Sequence, residues 1–174
     1  MQPITTSIIV QDLDHCGIVA GIIDQMGLVE QIDRELGSHP QEKVSAGAAV
    51  KAMILNGLGL FSAPLYLFEN FFVGKATEHL LGAGIRPEHL NDDRLGRVLD
   101  QLYESGVTPL FIKIALSAAK KFGVSTDKIH LDSSSFHVHG NYLEKETSSE
   151  EPGSIKITHG YSLLPSTRPQ TIYG

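Results

Sequence analysis

The sequence predicts a mainly α-helical protein whose chain turns to β structure late. Residues 14–123 read as one helix after another, with apolar residues at helical spacing between capping residues. Residues 128–139 and 155–162 instead alternate and are rich in β-formers. Between those two runs, residues 144–154 carry Glu, Ser, Thr, Pro and Gly with too little apolar content to fold alone. They form a flexible loop that makes the pair a long β-hairpin.

The helices follow in order. Ile18, Val19, Ile22, Ile23 and Met26 recur at helical spacing, and Gly27 ends that segment with the residue best suited to a left-handed cap. A short helix spans residues 28–36, and Gly37-Ser38-His39-Pro40 is a loop. Ser45 caps a helix carrying Val50, Met53, Ile54 and Leu58, in which Gly47, Gly57 and Gly59 weaken the helix and point to close packing. Pro64 opens an aromatic stretch whose Tyr66, Phe68, Phe71 and Phe72 suit a core at this spacing better than a base-stacking surface. Asn91 caps a helix through Tyr103, with Asp92 and Asp93 in the first turn, where the helix dipole favours negative charge. Neighbouring residues on a helix diverge by about 100°, which makes that acidic pair a capping feature rather than a metal site. Gly106 closes the helix. Thr108 and Pro109 start the next one as N-cap and first residue, and Leu110, Ile114 and Ala118, with Phe111 and Ala115 beside them, give it an apolar face to about Phe122.

Bulk properties narrow the class. A chain of 174 residues, 41% hydrophobic and 20% charged, with no apolar run near the roughly 18 residues of a membrane span, reads as a cytoplasmic globular protein with no membrane partner. Residues 1–12 lack the basic start and apolar stretch of an export signal, and the lone Cys16 has no partner for an internal disulfide, so it belongs to the core. The net charge of −6 opposes simple nucleic-acid binding, although Lys113, Lys120, Lys121 and Lys128 gather around the last helix and first strand. Glu144, Glu146, Glu150 and Glu151 fall in the polar loop.

Within the first β run, Leu131, Asp132, Ser133, Ser134, Ser135 and Phe136 place one carboxylate among small hydroxyl residues at mid-strand. Residues two apart share a strand face, which puts His130, Asp132, Ser134, Phe136 and Val138 on one side. His137 and His139 lie on the other, where with His159 they have workable zinc geometry but no obvious fourth ligand. The serines lack a nucleophile-elbow pattern, which argues against a serine hydrolase.

The run Lys128-Ile129-His130-Leu131-Asp132-Ser133-Ser134-Ser135-Phe136, followed by Ile157-Thr158-His159-Gly160-Tyr161-Ser162, resembles the first two catalytic-domain strands of insertion-sequence DDE transposases. Four helical strings are similar to the amino-terminal domain of one bacterial branch of that family. They are Leu13-Asp14-His15, Gly17-Ile18-Val19-Ala20-Gly21-Ile22-Ile23-Asp24, Val50-Lys51-Ala52-Met53-Ile54-Leu55-Asn56-Gly57-Leu58-Gly59 and His89-Leu90-Asn91-Asp92-Asp93-Arg94-Leu95-Gly96-Arg97. The resemblance covers residues 13–162. It implies a helical domain at residues 1–124, the first β-hairpin of an incomplete RNase H-like α/β domain at 125–162, and an aberrant tail at 163–174.

The chemistry implied is two-metal phosphoryl transfer, in which three carboxylates hold two Mg²⁺ or Mn²⁺ ions that activate a water or a DNA 3′-hydroxyl. Asp132 matches the first carboxylate and metal ligand. The relatives' second Asp and their Glu lie well downstream, so the site is expected to be incomplete, the chain inactive by itself and no metal bound. The parent's partner is DNA at transposon ends. Weak DNA binding, a homo-oligomer or association with an intact transposase copy are the partners expected here. A second reading is a non-catalytic helical module binding transposon-end DNA or a partner subunit. A third, a small metal-dependent phosphohydrolase, needs Glu78, Asp92 or Asp100 to converge on Asp132.

After Ser162 the relatives continue with a segment like His-Arg-Pro-Asp-Leu-Lys-Gln-Phe, where this chain has residues 163–174 instead. If residues 165–173 are encoded cca tcg acc aga cct caa aca att tat, starting one nucleotide later gives cat cga cca gac ctc aaa caa ttt, which reads His-Arg-Pro-Asp-Leu-Lys-Gln-Phe. A frameshift just after Ser162 is therefore expected.

Overall fold

The computed structural model describes residues 10–37, 39, 41–58, 65–125, 127–128, 136–138 and 171–173. The chain divides into two compact units, Met1–Ser125 and Thr126–Gly174. The first is helical: α1 (Cys16–Met26), α2 (Leu28–Leu36), α3 (Ala46–Asn56), a 3₁₀ helix (Leu65–Phe72), α4 (Thr77–Leu81), a 3₁₀ turn (Pro87–His89), α5 (Asp92–Ser105) and α6 (Val107–Phe122).

Local chemistry sets most of these boundaries. Gly27 separates α1 from α2 at φ 68°, and its N–H donates back to the carbonyls of Ile23 and Asp24. The Gln31 side chain donates to the carbonyl of Met26 at 3.0 Å, an acceptor that the end of α1 leaves open, and to that of Gly27 at 3.1 Å, which also accepts the Gln31 N–H. Ser45 accepts from the Ala48 N–H at 3.1 Å and Asn91 from the Arg94 N–H at 2.9 Å, the two side-chain caps expected for α3 and α5. The start of α6 differs from expectation. Its cap is Gly106 at φ 82°, so Thr108 and Pro109 become its second and third residues. Pro109 still lies among the first four residues, whose N–H groups have no helical acceptor to lose.

The core forms where α3 meets α1 and α2. Ala46, Ala48, Ala49 and Ala52 are buried along α3, and these small side chains let neighbouring helices approach. Gly47 marks the closest approach: a Cβ there would lie 2.3 Å from the Val29 carbonyl oxygen of α2. Asp33 of α2 completes the junction by accepting the Gly47 N–H at 2.6 Å. Around this centre Phe72 packs edge-on to Phe71 at 4.8 Å and tilted to Phe68 at 5.9 Å. Phe68, Phe71 and Phe72 are thus core residues, while Tyr66 stands exposed. Leu80 of α4, Leu90 just after the 3₁₀ turn, and Leu95 and Val98 of α5 close the core.

Two expected faces are redrawn. On α1, burial falls on Cys16, Ala20 and Ile23, and Ile18 is 75% exposed. On α6, Leu110 is buried and Ile114 packs partly against the core, but Phe111 and Ala115 face water.

In the second unit, Phe136–Val138 (β1) pairs antiparallel with Thr171–Tyr173 (β2), setting Phe136 opposite Tyr173 and Val138 opposite Thr171. The strand expected at residues 155–162 and the loop expected at 144–154 lie outside the described residues. The architecture shown is therefore mainly α-helical.

Candidate functional site

Asp132 lies outside the described residues, as do His139 and His159 of the zinc arrangement. The alternative carboxylates are placed. Glu78 is exposed on α4, and Asp92 and Asp100 are exposed on α5, with Asp92 Oδ1 accepting the Asp93 N–H at 3.0 Å. That bond belongs to the acidic first turn beside the Asn91 cap. Among the described residues, no group of three or more His, Cys, Asp or Glu side chains is arranged to hold a metal ion.

The densest cluster of reactive groups forms where residues 12–16 meet residues 71–77. Asp12 bridges Lys75 as a parallel β-bridge: its N–H donates to the Gly74 carbonyl at 3.2 Å, and its carbonyl accepts from Ala76 at 2.9 Å. The chain then turns through Asp14 at φ 52°, a left-handed conformation that Asp tolerates better than most side chains. Asp14 Oδ1 accepts the His15 N–H at 2.7 Å, and Lys75 Nζ donates to Asp14 Oδ2 at 3.4 Å. The His15 ring lies alongside, its Nδ1 3.0 Å from Asp14 Oδ1 without hydrogen-bond alignment. His15, through its ring and its backbone N–H, holds the Asp14 carboxyl down to about 2. Lys75 also sits 5.0 Å above the Phe71 ring, a cation–π contact.

Asp14, His15 and Cys16 have the residue types of a nucleophile–base–acid series, with Cys16 Sγ 3.7 Å from His15 Nε2. Their environment opposes that use. Cys16 is 0% exposed, and burial pushes its thiol up, away from the thiolate that nucleophilic attack requires. Asp14 is fully ionised near neutral pH and stays an acceptor. The cluster's chemistry is therefore positional: it ties the segment before α1 to the segment before α4.

Two further ion pairs do similar work. Lys51 of α3 is 3% exposed and donates to Asp24 Oδ1 of α1 at 2.6 Å. Arg94 of α5 holds Glu42 through two bonds of 3.0 Å and donates from Nε to the Val44 carbonyl at 3.0 Å. Lys113 pairs with Glu35, so one member of the expected basic stripe is engaged; Lys120, Lys121 and Lys128 are exposed. A separate open depression of about 480 Å³ is lined by Lys43, Arg86 and His89 with Ala83 and Gly84. His89 Nδ1 accepts the Arg86 N–H at 3.2 Å, fixing the ring at its rim.

Asp14–Lys75 and Asp24–Lys51 carry no chemical signal in the sequence, because the partners are 61 and 27 residues apart. Asp14, Asp24, Lys51 and Arg94 do fall inside the four helical strings quoted above, where their visible character is only polar.

The family model described as Domain of unknown function (DUF4277) matches residues 8–116, which takes in α1 through α5 and most of α6. The chain belongs to this family. No curated protein and no solved structure matches it. Among the described residues, no helix is long and apolar enough to cross a membrane.

Proposed function

We propose that this chain carries the amino-terminal helical module and the first catalytic carboxylate, Asp132, of a bacterial insertion-sequence DDE transposase, a cytoplasmic enzyme of DNA transposition, and that the chain does not cleave DNA by itself. The observation that carries this reading is the pair of strings at residues 128–136 and 157–162, set directly after a helical unit of the DUF4277 family. In the intact enzyme Asp132 joins two further acids to hold Mg²⁺ or Mn²⁺. Beyond Asp132 the only acids here are Glu144, Glu146, Glu150 and Glu151, all within one polar stretch. A lone carboxylate does not hold two cations. The hairpin of residues 128–139 with 155–162, as the start of an RNase H-like sheet, is part of the same proposal.

The test is incubation of the full chain with transposon-end DNA and Mn²⁺. No nicking or joining is expected. Cleavage that disappears in Asp132→Asn would show a complete site and overturn the proposed inactivity.

The alternative, a non-catalytic module that contacts transposon-end DNA, is favoured by one observation: Lys43, Arg86 and His89 converge on an open depression. That suits a phosphate. Against it stands the net charge of −6, which supports only weak, salt-sensitive contact, with dissociation constants of roughly 10⁻⁴ to 10⁻⁶ M.

A further inference from the structure

The outer face of α6 is apolar along its whole length. Val107, Phe111, Ile112, Leu116 and Phe122, together with Leu99 and Tyr103 at the end of α5, are 45 to 82% exposed. Leu110 is buried and Ile114 packs against the core, about 100° and 60° round the helix from Phe111, so α6 already has its anchoring stripe. The exposed residues form a second stripe. Successive helix positions turn by about 100°, so Phe111, Ala115, Ala118 and Phe122 lie close to one line, with Ile112 and Ala119 along its edge. At those exposures the stripe leaves on the order of 600 Å² of apolar surface in water. That is the upper end of the ~300–600 Å² patch of an ordinary monomer and near the ~800 Å² that each side of a standard interface contributes.

We propose that this face is the interface between two copies of the chain, with the two α6 helices antiparallel about a two-fold axis near Ala115. Charge selects that occupant. Residues 107–122 contain Lys113, Lys120 and Lys121 and no acid, whereas Asp100 and Glu104 stand exposed at the other end of the stripe, on the last turns of α5. A partner with the same polarity would bring lysine onto lysine. An antiparallel second copy brings each Lys120–Lys121 end to the Asp100–Glu104 end of the other, and opposes the two helix dipoles favourably. Side-chain size agrees. A two-fold axis near Ala115 sets Phe111 of one copy against the small Ala118 and Ala119 of the other, so each large side chain meets a gap, as a self-complementary interface requires. Because the interface uses only the helical unit, it stands or falls independently of the transposase proposal.

Sedimentation equilibrium on the full chain should give a reversible dimer of twice 18.9 kDa at micromolar concentration. Phe111→Glu should weaken it at least about tenfold, equivalent to ~1.4 kcal/mol. Combining Lys120→Glu and Lys121→Glu should also weaken it, and adding Asp100→Lys and Glu104→Lys should restore it. If Phe111→Glu fails to fold, two cysteine variants replace it. Ala115→Cys, near the axis, should form a disulfide-linked dimer with diamide as oxidant, whereas Ser117→Cys, about 200° round the helix, should not. A monomer at every concentration, a dimer indifferent to Phe111→Glu, or equal cross-linking of the two cysteine variants would overturn the proposal.

Discussion

Removing the exposed partner of the Lys51–Asp24 pair should cost more stability than removing the buried one. Lys51 Nζ is held 2.6 Å from Asp24 Oδ1, yet the lysine side chain is 3% exposed and the aspartate 57%. In Asp24→Ala the ammonium keeps its charge among buried residues and loses its acceptor. Breaking a buried pair this way costs 3–5 kcal/mol, and the low end, ~3 kcal/mol, applies because water can enter from the open Asp24 side. In Lys51→Met the charge leaves with the amine, the stem is replaced by one of similar volume, and Asp24 is left where water already solvates it. The expected loss is about 1 kcal/mol. The double variant should match Lys51→Met, giving a coupling energy of about 3 kcal/mol in magnitude between the two sites. Urea denaturation at neutral pH, followed by helical circular dichroism, measures all three. Lys51→Met costing as much as Asp24→Ala, or additive single effects, would show that the buried ammonium does not depend on Asp24.

Gly47→Ala should destabilise the helical unit by about 2–3 kcal/mol, because the new Cβ would meet the backbone of Val29 at 2.3 Å and α2 would have to move away from α3. A change in urea midpoint within error would contradict that packing. Asp14→Asn isolates the carboxylate charge while keeping a residue that tolerates φ 52°. The Asp14 pKa is lowered from 3.8 to about 2 in the folded chain, so its charge stabilises above pH 3.8 and that contribution is lost as pH falls toward 2. The melting temperatures of wild type and Asp14→Asn should therefore differ at neutral pH and converge between pH 4 and 2. A constant gap across that range would refute the assignment.

What the sequence made visible were the interactions closed within one turn of chain. Ser45 and Asn91 as caps, and Gly27 as a left-handed break, are each specified by a residue type and its immediate neighbours. Gly47 reads in the sequence as a site of close packing, but nothing there identifies its contact, Val29. The faces of α1 and α6 were harder to read. Both helices are apolar on more than one side, so periodicity identified them as helices without choosing among Ile18, Ile22 and Ile23, or between Leu110 and Phe111. Packing chose, and the surplus became exposed surface. The ion pairs around Asp14, Asp24 and Arg94 were not legible, since a charged residue looks the same in sequence whether its partner is water or a lysine 61 positions away. The start of α6 was misread for a related reason: Thr108-Pro109 is a strong local signal, but Gly106 at φ 82° caps the helix two residues earlier.

The transposase reading is tested most directly in the nucleotides that follow the Ser162 codon. Read one nucleotide later than the frame encoding residues 165–173, they are expected to specify His-Arg-Pro-Asp-Leu-Lys-Gln-Phe or a close variant. That frame should run on into an RNase H-like domain that supplies an Asp and a Glu to complete a two-metal site with Asp132. A shifted frame that soon meets a stop codon, or one that encodes no such acids, would rule out a split transposase and leave the helical DUF4277 unit without a catalytic partner.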